Sequence, residues 1–156
     1  MRSVSKLLHL VRRFWWSITA RPLNLVTMNW VKSLLLTGEQ SLFKAMSPAD
    51  QRHHVQVARR FATDLGDDAP RAWMAAALLH DVGKSVCGLG TLGRVIATLV
   101  PLRCGDGPIA RYHRHEPIGA SLLRAAGSDA ETVLIVGRWA DAPPLATEAL
   151  RRADAL

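Results

Sequence analysis

The sequence predicts an all-α fold, a single-domain helical bundle, on three observations. Alanine and leucine dominate, whereas alternating Val/Ile/Thr runs are scarce. Apolar residues recur at spacings of three and four, which places them on helix stripes. Start and stop signals, Ser or Asp with Pro before a stretch and Gly or Pro after it, divide the chain into helical lengths. With 156 residues, 49% of them hydrophobic, and only 11 Gly and 8 Pro, the chain can bury one core but not two.

Leu7, Val11, Phe14 and Ile18 form the first stripe, with Arg12 and Arg13 on the other side. A helix of this kind covers something apolar. Either it packs on the body of the domain, or it lies on an anionic membrane surface with Trp15 and Trp16 as interfacial anchors. A second helix follows Arg21-Pro22 and uses Trp30, Val31, Leu34 and Leu35. A third uses Leu42, Phe43 and Met46, with Gly38 expected to separate the two. Residues 1–46 are thus expected to form an N-terminal helical extension to a domain over 47–156.

Ser47-Pro48-Ala49-Asp50 opens the next helix, Ser47 capping and Pro48 suiting the first position, and Gly66 should end it after Leu65. Asp67-Asp68-Ala69-Pro70 restarts a helix whose alanine-rich face permits close packing and which should break at Gly83. Thr91 to Val100 reads as a helix ended by Pro101, and Cys104 to Pro108 as a loop. Pro117 opens a helix reaching Gly127, and Ser128-Asp-Ala-Glu131 reads as a second capping box for one ending near Ala140. Pro143-Pro144 begin the last, from Leu145 to about Ala155.

A formal charge of +7 attracts anions, and the first twenty-one residues carry Arg2, Lys6, Arg12, Arg13 and Arg21 with no acidic group. No helix-turn-helix or aromatic-interleaved basic pattern accompanies it, which argues against nucleic acid as a partner. Cys87 and Cys104 lack Cys-x-x-Cys spacing, so reduced thiols of a cytoplasmic protein are expected. No secretion signal is evident, and no apolar run approaches the roughly 20 residues that span a bilayer. A cytoplasmic location, at most peripheral to the membrane through residues 1–21, is the expectation.

Chemistry concentrates in two words, His53-His54-Val55-Gln56-Val57-Ala58 and Ala77-Leu78-Leu79-His80-Asp81-Val82-Gly83-Lys84. Neighbours on a helix point about 100° apart, so His80 and Asp81 can share an ion only near a helix end. Imidazole and carboxylate together suit Mn, Fe, Co or Mg, and the absence of thiolates argues against structural zinc. His80 on an apolar helix could instead be a satisfied core histidine, but Asp81 beside it would be costly to bury unpaired. The stripe 54, 58, 61, 65 makes His54, not His53, the more buried of that pair. A distal carboxylate has two candidates, Asp141 in a loop and Asp154 in Ala149-Leu-Arg-Arg-Ala153-Asp154.

These words resemble the HD superfamily of metal-dependent phosphohydrolases, with its early His, central His-Asp pair and distal Asp, over residues 47 to 156. The resemblance implies one divalent ion held by His53, which sits in the family frame with Val57 and Ala58, together with His80, Asp81 and Asp154. It also implies that Lys84 faces the site and holds substrate phosphate. Arg111-Tyr-His113-Arg-His115-Glu116-Pro-Ile-Gly119-Ala120 is similar to the family's His-x-x-Ile-Gly-Ala segment, with His115 matching and lining the pocket. Binuclear members place further histidines where this chain has Trp139, whose indole cannot ligate a metal. The Gly-Tyr-Pro extension of cyclic-di-GMP phosphodiesterases is missing. The implied activity is hydrolysis of a phosphomonoester or nucleotide, with Asp81, Lys84 and His115 as catalytic candidates. The alternative is a regulatory or ligand-binding module that keeps the metal without turnover.

Overall fold

A computed structural model describes residues 21–66, 69–87, 89 and 107–155, and in these the fold is all-α with no strand. The expected helices over residues 7–18 and 91–100, the Asp67-Asp68 signal and Cys104 lie outside the described residues. The order is α1 (Leu25–Leu34), α2 (Thr37–Ala45), α3 (Pro48–Leu65), α4 (Arg71–Leu79), α5 (Val82–Ser85), α6 (Pro108–His113), α7 (His115–Ala125), α8 (Ala130–Val136) and α9 (Pro144–Ala155). No described helix is long and apolar enough to cross a membrane.

Helix α4 is the centre of the bundle. Ala75, Ala76, Ala77, Leu78 and Leu79 are inaccessible to solvent, so this helix is buried all round. A run of alanines lets neighbouring backbones come close, and α3 and α8 pack on α4 while α9 packs on α3. Helix α3 begins as its sequence requires: Ser47 Oγ accepts from the Asp50 N–H at 3.2 Å, and Pro48 stands at the first turn. It ends at Gly66, whose φ of 78° is open to glycine at little cost.

Helices α1 and α2 contribute Val31, Leu35, Phe43 and Met46 to the same core cluster as α3 and α4. They are also fastened by charge. Fully buried Glu39 accepts from the Leu36 N–H at 2.8 Å and pairs with Arg71 at 3.2 Å, and Arg71 also bonds the Leu34 carbonyl and the Asp129 carboxylate. One guanidinium therefore ties the α1–α2 turn to the starts of α4 and α8.

Several punctuation marks play other parts than expected. Gly38 does not separate two helices: the break falls at Leu35–Leu36, and Gly38 sits in the first turn of α2, where a Cβ would come 2.1 Å from the Ala126 carbonyl oxygen. Gly83 does not end a helix either. Helix α4 stops at Leu79, Asp81 leaves helical geometry (φ −109°, ψ 15°), and Gly83 lies inside α5 because a Cβ there would meet the His115 oxygen at 1.9 Å. Ser128 does not cap α8, whose N-cap is Asp129; Asp129 and Glu131 turn instead to Arg71 and to Trp73 Nε1. That helix ends at Val136, not near Ala140. Pro108, expected to close a loop, opens helix α6 instead.

The end of α8 is unusual. Arg138 N–H bonds the Ile135 carbonyl at 3.2 Å and Trp139 N–H the Leu134 carbonyl at 3.1 Å, the pattern of a Schellman cap. That cap needs a left-handed residue, and Arg138 takes the role at φ 51°, the one non-glycine with positive φ among the described residues. A side chain in this conformation costs about 1 kcal/mol. Gly137, one position earlier, is held there by Trp139, whose ring would lie 3.0 Å from a Cβ.

The Gly38 contact is with main chain, which cannot swing aside. Gly38→Ala should lower stability by about 3 kcal/mol in urea melts. A loss within about 0.5 kcal/mol, the usual range of a surface change, would show that α2 does not lie against Ala126.

Candidate metal centre

Four elements converge at one end of the buried helix α4. His53 and His54 come from α3, His80 and Asp81 from the α4–α5 break, His115 from the first position of α7, and Asp154 from the last turn of α9. Close packing of α5 on α7 makes this possible. Gly83 meets the backbone at His115, and Gly119 in turn lies 3.3 Å, as a Cβ, from the Gly83 nitrogen. The two glycines let these helices touch at main-chain distance, which brings His115 Nε2 to 3.3 Å from Asp81 Oδ1.

Asp154 is carried by a helix that is well docked. Ala146, Ala149 and Ala153 are buried along one stripe, Arg152 pairs with Asp64 on α3 at 2.6 Å, and Arg60 donates to the Ala153 carbonyl at 3.3 Å. The last turn is thus fixed by packing and by polar contacts on both sides of Asp154.

The four ligands expected from sequence, His53, His80, Asp81 and Asp154, are brought together. His80 Nε2 lies 3.5 Å from Asp154 Oδ1 and 3.6 Å from Asp81 Oδ2, and His53 Nε2 lies 3.1 Å from Asp154 Oδ1. Within this cluster, His53, His80 and Asp154 form one group of donor atoms lying within 4.8 Å of one another. His54, His80 and Asp81 form a second such group. Both contain His80. The alternative carboxylate, Asp141, is exposed in the turn after α8.

His54 was legible as the buried member of its pair but not as a neighbour of the site. Its Nδ1 lies 2.8 Å from the Leu78 carbonyl, and its ring packs 4.5 Å from that of His80. Three histidines share this arrangement: Nδ1 of His80 lies 3.0 Å from the Ala77 carbonyl and Nδ1 of His115 2.8 Å from the Tyr112 carbonyl. A carbonyl accepts only, so each Nδ1 carries a proton, and each Nε2 is left to hold a cation when the ring is neutral or to donate when the ring is protonated.

For His80 this creates a specific problem. Its Nε2 is buried and has no hydrogen-bond partner, and its nearest polar neighbours are two carboxylates. Lone pairs facing carboxylates in a dry setting repel unless a positive charge stands between them. A divalent cation relieves the conflict, and the nitrogen-and-oxygen donor set suits Mn, Fe, Co or Mg. The residues present therefore fit a metal ion.

Electrostatics agree. Burial pushes His80 down, but Asp154 and Asp81 more than offset it and its pKa is raised, so the site favours added positive charge. Burial pushes Asp81 up, yet the His115 hydrogen bond and the charges of His80 and Lys84 hold it well below the usual carboxylate value. The hydrogen bond with His53 and the positive charge of His80 hold Asp154 below it as well. Both carboxylates are anions at neutral pH, as ligands must be. Lys84 Nζ sits 2.6 Å from Asp81 Oδ2 and 5.6 Å from the centre of the Tyr112 ring, at the rim of the site.

A cavity of about 280 Å³ opens beside the cluster, with His80, His115 and Asp154 on one side, Ile135, Val136 and Leu150 as an apolar surface, and Arg138 and Arg151 at the edge. Arg138 Nε lies 3.0 Å from Glu116 Oε1. Exposed pairs of this kind contribute at most about 1 kcal/mol. Trp139, which stands where binuclear relatives of the expected family carry a histidine, lies under the Arg124 guanidinium at 4.2 Å.

Comparison with protein families finds a match to the family model described as HD domain, over residues 53–156. Comparison with curated proteins and with solved structures finds no match.

Burial of His54, with His80 as a positive neighbour, lowers its pKa from 6.5 to about 3. The folded chain then refuses a proton that the unfolded chain accepts, so metal-free stability must fall as pH falls from 6.5. Asp81 and Asp154 join only below about 3.8, their ordinary value, and His80, shifted the other way, loses its contribution only above 6.5. Urea melts of metal-free protein should therefore show a declining limb between pH 6.5 and 4 that His54→Gln flattens; an equally steep limb in the variant would assign the proton elsewhere.

Proposed function

The chain belongs to the HD-domain family, and on that premise we propose that it is a metal-dependent phosphohydrolase acting on a small phosphomonoester or nucleotide. The observation that carries this reading is the buried, unpartnered Nε2 of His80 between the carboxylates of Asp81 and Asp154. His53, His80, Asp81 and Asp154 would hold one divalent ion. His54, bonded to the Leu78 carbonyl and packed on the His80 ring, fixes that imidazole from behind.

When bound, the ion supplies Lewis acidity and lowers the pKa of water. The chain's own residues do the rest. Lys84, already within the site on Asp81, supplies a positive charge for the phosphoryl oxygens, and His115 directs its Nε2 to the same region. Asp81 is held too acidic to be an effective proton acceptor near neutral pH, so its part is to bind the ion and to anchor Lys84 and His115. The cavity admits a small organic group against Ile135, Val136 and Leu150. A cavity of about 280 Å³ supports a small phosphate compound as the partner.

Metal analysis of purified protein, with phosphate release from a panel of phosphoesters after Mn loading, tests the reading. His80→Ala and Asp154→Ala should each empty the site, whereas Lys84→Ala should keep the metal and lose about 100-fold in kcat/KM. A His80→Ala variant that stays fully loaded would refute the ligand set. Full metal occupancy with phosphoester binding and no turnover on any ester would establish a binding module instead.

A further inference from the structure

Arg138 is where the chain departs from its own habits. At Gly66 and Gly127 the backbone takes positive φ after a helix, and there the sequence supplies glycine. After α8 it supplies an arginine at φ 51°. The cap at the end of α8 needs a left-handed residue, but glycine would meet that need at less cost, and the arginine side chain gains little where it stands. Among the described residues the guanidinium makes one ion pair, to half-buried Glu116, and solvent covers most of the side chain, which is 62% exposed. Screening leaves such a pair too weak to account for the strained backbone. Strain kept at one position of a cavity wall points to a contact made only when the cavity is filled.

The place of Arg138 says what that contact is. Its side chain stands at the mouth of the cavity that holds His80, His115 and Asp154, and its partner Glu116 adjoins His115, the residue bonded to Asp81. Arg151 lines the same cavity but is taken up by two bonds to Glu148, at 2.7 and 2.9 Å. Guanidinium presents a flat fork of donors that matches phosphate oxygens two at a time. The geometry points to Arg138 as the anion-recognition residue of this cavity: it swings from Glu116 to the phosphate of a small phosphoester whose organic group rests on Ile135, Val136 and Leu150, and the left-handed backbone is retained to aim it. This rests on the reading of the site as a phosphoester pocket. It adds the residue that selects for charge, from the wall of a cavity that Lys84 does not line.

The trade between stability and binding makes it testable with Arg138→Gly and Arg138→Lys in the full, Mn-loaded chain and with inorganic phosphate as the probe. Glycine should relieve the backbone and raise the melting temperature by roughly 3 °C. The same variant should keep the metal content of the parent and bind phosphate about tenfold more weakly in calorimetry. Arg138→Lys should melt like the parent and recover part of the affinity. Phosphate binding unchanged in Arg138→Gly, a melting temperature at or below that of the parent, or loss of metal with the substitution would each overturn the assignment while leaving the hydrolase reading intact. A parent protein that takes up metal but binds no phosphate would overturn both.

Discussion

A buried imidazole nitrogen facing two carboxylates is the constraint to which the rest of this structure answers. His80 Nδ1 is committed to the carbonyl of Ala77, so Nε2 faces Asp81 and Asp154, at 3.6 and 3.5 Å, and in the neutral ring presents a lone pair to them. Without compensation that juxtaposition would be among the most unfavourable in the molecule, because burial strengthens repulsion as much as attraction. A cation turns it into a reason for the helices to meet. His54 below His80, His53 on Asp154, and Lys84 and His115 on Asp81 complete a set in which each negative group has at least two positive or proton-bearing neighbours.

Small residues make the convergence geometrically possible. The alanines of α4 let α3 and α8 approach from two sides, Gly83 and Gly119 bring α5 and α7 to main-chain contact, and the buried alanines of α9 lay its last turn against α3. Each of these contacts delivers one ligand or one supporting side chain to the end of α4. Farther away, the Arg71 knot with Glu39, Asp129 and the Leu34 carbonyl holds α1 and α2 on the same core. Residues 25–46 thereby share one core with the helices that carry the site.

How much of this could be read from the chain alone depended on whether the signal was local. Helix α3 was legible from end to end, since a Ser cap, a Pro at the first turn and a terminal Gly act through neighbours in sequence. His54 was legible as buried from the stripe it shares with Ala58 and Phe61, but its contact with His80 spans two helices and leaves no periodic trace. Gly38 and Gly83 look like breaks in the sequence because glycine commonly breaks helices. Their role, admitting the backbone at Ala126 and at His115, belongs to partners far along the chain. The capping box at Ser128 failed for a related reason, its acidic groups being claimed by Arg71 and Trp73. The left-handed Arg138 had no local signal at all, since Gly137 is the residue that sequence habit would place there.

Anomalous diffraction at the manganese edge from Mn-soaked crystals addresses the central claim most directly. One strong peak is expected about 2.0–2.4 Å from Nε2 of His80 and from carboxylate oxygens of Asp81 and Asp154, with His53 completing the set. A peak remote from His80, or Asp81 and Asp154 turned away from that nitrogen with no density between them, would contradict it.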